Sequence, residues 1–200
     1  MRRSAAALVG FLLLVLAGCG DDPEAEFNGR RLDKPFDAPA AALTTTGGEQ
    51  YSLAEDREDP LTLVFFGYTH CPDICPAVLG SLASAMTRLD DEDRDEVGVV
   101  VITTDPARDD EQVLRDYLDG FDPSWEGLTG DLDTIVSEVA EPLGIFVADA
   151  TELASGGYDL GAHGTSVIAI DDDGKAVVFW GDDTSPAQFA SDIHTLLNED

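Results

Sequence analysis

The sequence predicts an α/β fold in which a central mixed sheet is flanked by helices. Strand-like and helix-like segments alternate from residue 61 onwards, which favours a layered sheet with connecting helices. A β-hairpin pattern followed by a last helix occupies residues 167–197. Two cysteines lie between the first core strand and the first helix, and this layout is typical of a thioredoxin-like fold.

The individual elements are predicted from local patterns. Residues 43–46 and 50–53, separated by Gly47-Gly48, favour a β-hairpin that extends the fold at its N-terminal end. Residues 61–66 are apolar on both faces, as expected of a strand that is covered on both sides. Further predicted strands span 97–103, 125–128, 145–147, 167–170 and 176–180. Further predicted helices begin at Pro76, at Asp109 with Gln112 as a capping box, at Asp131 and at Ser185-Pro186.

The charge balance excludes one class of function. Asp and Glu number 41 against 11 Lys and Arg, which gives a formal net charge of −30. Such a surface repels nucleic acid and anionic headgroups, so binding through basic patches is excluded. Adaptation to high salt, which screens the self-repulsion, is one hypothesis for this acidic surface, and docking of a basic partner is the other.

The N-terminal residues predict export and a lipid anchor. Residues 1–18 combine a basic start with an apolar run that is shorter than the roughly 20 residues a membrane-spanning helix needs. The run ends in Leu16-Ala17-Gly18-Cys19, which looks like a lipoprotein signal with Cys19 as the lipid acceptor. We expect an acidic tether over 19–35 and one domain over 36–200, lipid-anchored on the outer face of the cytoplasmic membrane. The Arg2-Arg3 pair leaves Sec and twin-arginine export open.

With Cys19 assigned to the anchor, Cys71 and Cys75 are the only thiols of the exported domain. In an oxidising compartment, a close pair of this kind is either a redox dithiol or a metal site. Proline is favoured at the first position of a helix, so Pro76 is predicted to be the first helical residue and Cys75 to be the N-cap. We therefore expect the helix terminus to make both thiols easier to deprotonate than a free cysteine. Soft thiolates favour Cu(I), zinc or iron–sulfur centres.

The three histidines receive different interpretations. His194 lies in the last predicted helix and is expected to have a structural or surface role. His70 adjoins Cys71, but adjacent side chains diverge in extended structure, so His70 is not expected to be a ligand. His163 lies in a glycine-lined loop before the second hairpin. In a thioredoxin-like fold this loop faces the dithiol, and the redox enzymes carry a cis-proline there, so an imidazole in its place predicts a third ligand.

Three segments resemble the motifs of a known family. Residues 65–76 (FFGYTHCPDICP), 104–109 (TDPARD) and 128–130 (LTG) resemble motifs of the Sco/SenC family, the copper proteins of cytochrome oxidase assembly. The resemblance covers about residues 36–197, and the first motif is highly specific. The chain departs from the family pattern at Gly164-Thr165 and at Asp110-Glu111, and neither departure removes a ligand.

The resemblance implies a thioredoxin-like domain that binds one copper ion per chain, as Cu(I) or Cu(II), through Cys71, Cys75 and His163. It further implies a membrane-anchored metallochaperone, not an enzyme, that assists assembly of the copper centre of a terminal oxidase. The alternative is a thiol–disulfide oxidoreductase that reduces the cysteines of the copper-binding oxidase subunit. The expected partners are that subunit and a copper donor or thiol reductant, and the protein is expected to be a monomer. A peroxidase of the same fold is a weaker hypothesis, because nothing marks a dedicated peroxidatic cysteine.

Overall fold

The computed structural model describes residues 27–147, 151–152, 158–159 and 164–199. The strands are β1 Arg30–Asp37, β2 Ala42–Thr45, β3 Gln50–Ser52, β4 Leu61–Gly67, β5 Val97–Thr103, β6 Glu126–Thr129, β7 Thr151–Glu152, β8 Tyr158–Asp159, β9 Val167–Ile170 and β10 Lys175–Trp180. Eight of them form one mixed sheet in the order β1-β10-β9-β4-β5-β6-β2-β3, and β7 pairs with β8 separately. The helices are α1 Ile74–Met86, α2 Asp91–Asp95, α3 Glu111–Leu118, α4 Leu132–Thr134 and α5 Pro186–Asn198.

The central strands bring two loops to the same edge of the sheet. Strand β4 is buried at every residue and runs parallel to β5, in a register that pairs Leu61 with Val97 and Gly67 with Thr103. Because parallel strands end at the same edge, the cysteine loop after β4 and the loop after β5 meet there. The uniform apolar pattern of β4 is explained by this position, since both of its faces are covered.

Two apolar layers cover the sheet, one on each face. On one face, α1, α3 and α5 contribute Leu79, Leu118 and Phe189 to a core cluster that also contains both cysteines. On the other face, a second cluster contains Ile135 and Val139 from the segment after β6 and Leu43 from the N-terminal hairpin. The predicted α/β class, mixed sheet and N-terminal hairpin extension (β2 and β3) are therefore confirmed.

The first strand was not predicted, because its side chains carry no apolar alternation. Strand β1 lies at the edge of the sheet, pairs antiparallel with β10, and is mostly exposed. The ordered sheet therefore begins at Arg30, inside the segment that was expected to be a tether as far as residue 35. The buried carboxylate of Asp192 on α5 accepts hydrogen bonds from the amides of the two residues just before β1, Asn28 (3.0 Å) and Gly29 (2.7 Å).

The helix ends match several of the predicted caps. Ser185 caps α5 with a complete capping box to Gln188, and the Asp131 carboxylate accepts from the Thr134 amide at 3.1 Å. The helix that Asp131 begins is irregular, since three α-helical residues continue as a π-helix over Ile135–Ala140 and a 3-10 turn over Glu141–Leu143. The apolar spacing predicted a helix there but could not distinguish these helix types.

Several predicted features lie outside the described residues. These are the signal peptide over 1–18, the lipid acceptor Cys19, the tether up to residue 26, and the ligand His163. Among the helices that the structure describes, none has the length and the hydropathy to cross a membrane.

Candidate metal-binding site

The two cysteines lie side by side at the carboxyl edge of the central strands. Cys71 is in the turn after β4, where its amide donates to the Tyr68 carbonyl at 3.2 Å. Cys75 is in the first turn of α1, and its amide donates to the Cys71 sulfur at 3.3 Å. Cys71 and Cys75 are not joined in a disulfide; Cys71 is 9% exposed, whereas Cys75 is only 1% exposed. The dithiol thus lies just below the surface, with Cys71 on the outer side.

Helix α1 begins two residues earlier than the sequence predicted. Asp73 is the N-cap and Ile74 is the first helical residue, so Cys75 lies inside the first turn and not at the cap. Pro76 is tolerated one residue further on, because the first four amides of a helix have no intrahelical partner. One of these amides, that of Cys75, instead donates to the sulfur of Cys71.

The expected ease of deprotonation is wrong for Cys75. Burial raises the pKa of the Cys75 thiol to about 12, and its hydrogen bond with Cys71 acts in the same direction. A helix terminus stabilises a charge by about 0.3–1 kcal/mol, which is less than one pKa unit. Full burial can shift a pKa by several units, so desolvation dominates at this position. A metal ion that binds here must therefore displace a firmly held proton.

Gly67, the last residue of β4, makes room for the buried thiol. A Cβ atom at this position would lie 2.6 Å from the Phe65 ring and 3.1 Å from the Cys75 sulfur. Both distances are shorter than ordinary van der Waals contact, and the neighbours belong to a fully packed core. The glycine before the cysteine loop is therefore required by packing against the thiol.

We expect Gly67→Ala to lower the free energy of unfolding by about 1–3 kcal/mol, the usual cost of overpacking a core. Denaturant unfolding of the reduced protein measures this change. Gly80→Ala is the matched control, because a Cβ at Gly80, on α1, meets nothing within 4 Å. The control should leave stability unchanged or raise it by up to about 1 kcal/mol. Equal stability of the two variants would contradict the close packing of Gly67 against Cys75.

Two tyrosines that the sequence analysis did not assign lie near the dithiol. Tyr68 is half-buried; burial raises its pKa, and the charges of Cys71 and Cys75 and a hydrogen bond with Cys71 add to the shift. Tyr117 on α3 packs against the same core cluster, and burial, followed by the charges of Cys75 and Cys71, raises its pKa. Its hydroxyl oxygen is buried and has no hydrogen-bond partner among the described residues.

Asp109 holds the cysteine loop to the end of β5. Its fully buried carboxylate accepts from the Thr69 amide at 2.9 Å, from the Thr69 hydroxyl at 2.5 Å and from the Thr103 hydroxyl at 2.7 Å. The predicted capping role of Asp109 is wrong, because Asp110 caps α3 by accepting from the Val113 amide at 2.9 Å. Asp109 instead joins Thr69, two residues before Cys71, to the neighbouring strand.

The rest of the 104–109 motif shapes the turn that carries Asp109. The buried Asp105 carboxylate pairs with the Arg108 guanidinium, and the Asp105 amide donates to the Thr103 hydroxyl at 3.0 Å. The amides of Arg108 and Asp109 both donate to the Asp105 carbonyl. Asp105 and Arg108 therefore shape the turn that places Asp109.

The histidines occupy different surroundings. His194 on α5 binds the Asp93 carboxylate of α2 through Nδ1 at 2.6 Å, which links two helices at the surface. His70 is exposed, and its Nδ1 lies 3.0 Å from the Thr69 hydroxyl. His163 lies outside the described residues, but Gly164, the next residue, donates from its amide to the Phe146 carbonyl at 2.7 Å.

The donor set fits a soft metal ion. Two buried thiols that are not joined in a disulfide lie beside each other, and thiolate ligands select Cu(I) or zinc over hard cations. Within the described ranges, no group of three or more His, Cys, Asp or Glu side chains is placed to hold a metal ion. The described residues therefore supply two donors of the predicted set.

The fold and the site together define a thioredoxin-like protein whose paired thiols can exchange electrons or hold a metal ion. A family model described as SCO1/SenC matches residues 31–198. The chain therefore belongs to the SCO1/SenC family, as the three sequence motifs predicted.

Individual relatives agree with this membership. The apo Sco1 protein of Thermus thermophilus is 28% identical, covers 85% of this chain and 96% of its own, and has a TM-score of 0.73. The copper-bound ScoI of Bradyrhizobium japonicum is 30% identical, covers 81% and 97%, and has a TM-score of 0.64. The mitochondrial protein SCO2 of Saccharomyces cerevisiae is 39% identical over 95 residues, which are 48% of this chain and 31% of that protein. The first curated relatives are matched over 31–65% of their own length.

Proposed function

We propose that this protein is a copper metallochaperone that assists assembly of the copper centre of a terminal, cytochrome c type oxidase. It binds a single copper ion through the thiolates of Cys71 and Cys75 and the imidazole of His163, and passes the ion to the copper-binding oxidase subunit. The adjacency of the two thiols carries the proposal, because they are soft donors placed side by side at a loop edge. The copper bound to the Bradyrhizobium relative supports the choice of metal.

Some residues of this chain supply the copper ligands, and others hold those ligands in place. Each cysteine gives up its thiol proton to solvent as it becomes a ligand, and neutral His163 contributes a nitrogen. Asp109 and Thr69 hold the loop that carries Cys71, and Gly67 makes room for Cys75. Three protein ligands leave the ion accessible to an acceptor, so transfer proceeds by ligand exchange and needs no free ion.

Oxidation of Cys71 and Cys75 to a disulfide is expected to abolish copper binding, because the thiolates that act as ligands are consumed. The full-length chain, fully reduced or fully oxidised, is equilibrated with copper and its bound metal is counted after desalting. The reduced form should retain close to equimolar copper, the oxidised form should retain almost none, and renewed reduction should restore binding. An oxidised form that keeps its copper would contradict the assigned ligands.

A second candidate function is favoured by the unequal exposure of the two thiols. Cys71 is 9% exposed, whereas Cys75 is 1% exposed. This arrangement suits a thiol–disulfide oxidoreductase, in which the Cys71 thiolate attacks an oxidase-subunit disulfide and releases one thiolate. Cys75 then attacks the mixed disulfide and releases the second, so that the substrate is reduced and the Cys71–Cys75 pair is oxidised. His163→Ala separates the candidates, since it should spare disulfide reduction and impair copper binding.

We further propose that the chain is exported, lipid-anchored through Cys19 on the outer face of the cytoplasmic membrane, and monomeric. The Leu16–Cys19 segment supports the lipid anchor, and the following acidic residues give reach between membrane and domain. Cys19→Ser, produced with the same signal, is expected to move the chain from the membrane fraction to the soluble exported fraction. A Cys19→Ser chain that fractionates with membranes as the wild type does would contradict lipid anchoring at this residue.

A further inference from the structure

His70 directly precedes Cys71 in the chain and presents an exposed imidazole in a defined tautomer. Its Nδ1 lies 3.0 Å from the Thr69 hydroxyl oxygen, and that hydroxyl lies 2.5 Å from the Asp109 carboxylate oxygen Oδ1. Asp109 Oδ1 is also 3.8 Å from His70 Nδ1. The three side chains therefore form a chain of contacts that runs from the buried carboxylate to a side chain that is 54% exposed.

The protons in this chain can be assigned from its chemistry. A threonine hydroxyl has one proton, and the short contact to the acceptor-only carboxylate requires that proton to point at Asp109. The hydroxyl oxygen then faces His70 with a lone pair, so Nδ1 must carry a proton and donate it. In the neutral imidazole this leaves the lone pair on Nε2, the ring nitrogen on the far side from Thr69.

The same arrangement orients histidine ligands in metal sites. A metal-binding imidazole usually donates its other ring N–H to an oxygen that fixes the tautomer and the ring orientation. Imidazole nitrogen is a good donor for copper and zinc. His70 thus has an oriented ring with a nitrogen ready for a metal ion, although it lies on the residue directly before Cys71.

Because both thiols are buried, an exposed nitrogen ligand would assist the entry and exit of the metal ion. Cys75 is 1% exposed and Cys71 is 9% exposed, so an ion held by another molecule cannot reach both sulfurs without losing most of its ligands first. An exposed donor on the residue directly before Cys71 can hold the ion during that exchange. It then gives the ion up as the buried thiolates and His163 complete the site.

We propose that His70 Nε2 is a transient copper ligand, which receives the ion on its way into the Cys71–Cys75 site and again on its way out. The inference rests on the proposed copper-transfer function. The copper ion keeps its oxidation state: a bond to the outside donor breaks as the bond to His70 forms, and the bond to His70 breaks as the last thiolate bond forms. The proton of each incoming thiol goes to solvent.

A transient ligand has a kinetic signature that a resident ligand lacks. It lowers the barrier in both directions, so its loss slows loading and unloading by the same factor and leaves their ratio, the affinity, about unchanged. We expect His70→Asn to slow both rates about tenfold, the lower end of the loss caused by removing a group that supports a metal site. Asparagine keeps an amide N–H that can donate to Thr69 but has no equivalent of Nε2.

The experiment follows Cu(I) exchange between the full-length reduced chain and the chromophoric chelator bicinchoninate by stopped-flow absorbance, in both directions. His194→Asn is the matched control, because His194 is also exposed and also has Nδ1 bound to a side-chain oxygen, but it lies on α5 against α2. Slower exchange in His70→Asn alone supports the proposal. Unchanged rates overturn it, as does a lower affinity with faster unloading, which would make His70 a resident ligand.

Two further readouts separate this inference from the function beneath it. Nitrogen-15 NMR of the apo chain should show His70 protonated at Nδ1 and bare at Nε2, and the opposite tautomer would overturn the proposal without any use of copper. If the wild-type chain fails to take up copper at all, the proposed function is overturned together with the transfer role. If it loads and unloads copper normally without His70, only the transfer role is lost.

Discussion

Asp109→Ala is expected to lower the free energy of unfolding by about 3 kcal/mol, because one buried and two half-buried donors lose their common acceptor, and a buried donor left unpaired costs about 1–3 kcal/mol. The donors are the Thr69 amide, the Thr69 hydroxyl and the Thr103 hydroxyl. For a protein of this size, the loss corresponds to a fall in Tm of roughly 6–12 °C, which thermal unfolding of the reduced chain measures. The damage should concentrate at the cysteine loop, with faster amide exchange at Thr69.

Asp110→Ala is the control for this prediction, because Asp110 is the next residue, is exposed and only caps α3. Loss of a helix cap costs about 1 kcal/mol, so its Tm should fall by roughly 2–4 °C. If the two alanine variants were equally stable, Asp109 would not hold the cysteine loop. The comparison also decides between the role that the sequence predicted for Asp109 and the one that the structure shows.

Cys75→Ser is expected to remove almost all copper binding. The substitution removes an anionic, soft donor and leaves a hydroxyl, which stays protonated and is a poor ligand for Cu(I). Serine is close to cysteine in size, so the packing against Gly67 and Phe65 is largely kept. Loss of copper in this variant therefore reports the missing sulfur and not a collapsed site, and the unfolding curve of the variant checks this.

Much of the fold could be predicted from the sequence because local patterns and tertiary positions agree. The uniformly apolar β4 is the central strand, and Ser185 with Gln188 caps α5 as its spacing indicates. The sequence patterns do not indicate strand β1, because it is an exposed edge strand. It is held mainly by backbone pairing with β10 and makes few apolar contacts. Nothing in side-chain periodicity marks such a strand.

The site was predicted less completely, for three physical reasons. A neighbouring aspartate, Asp110, could take the capping role equally well on spacing alone, so the buried network of Asp109 could not be distinguished from a helix cap. The approach of Tyr117 to the thiols depends on the packing of α3, some forty residues along the chain from the cysteines. The raised pKa of Cys75 follows from the burial of its side chain in a core cluster that brings together residues distant in the sequence.

The assignment of His163 as a ligand rests on the sequence alone. The sequence and the family resemblance name it as the third ligand, and the described residues end and resume on either side of it. The assignment of a nitrogen donor opposite the dithiol therefore stays a prediction. The two sulfur donors have the support of geometry as well, since Cys75 donates from its amide directly to the Cys71 sulfur.

The central claim is that copper is held by Cys71, Cys75 and His163. Its most direct test is the copper content of the reduced full-length chain after equilibration with a competing chelator, compared with Cys71→Ser, Cys75→Ser and His163→Ala and with His194→Asn as control. Wild type and control should retain close to equimolar copper, both serine variants almost none, and His163→Ala clearly less than wild type. Near-equimolar copper that survives Cys75→Ser or His163→Ala would contradict the assigned site.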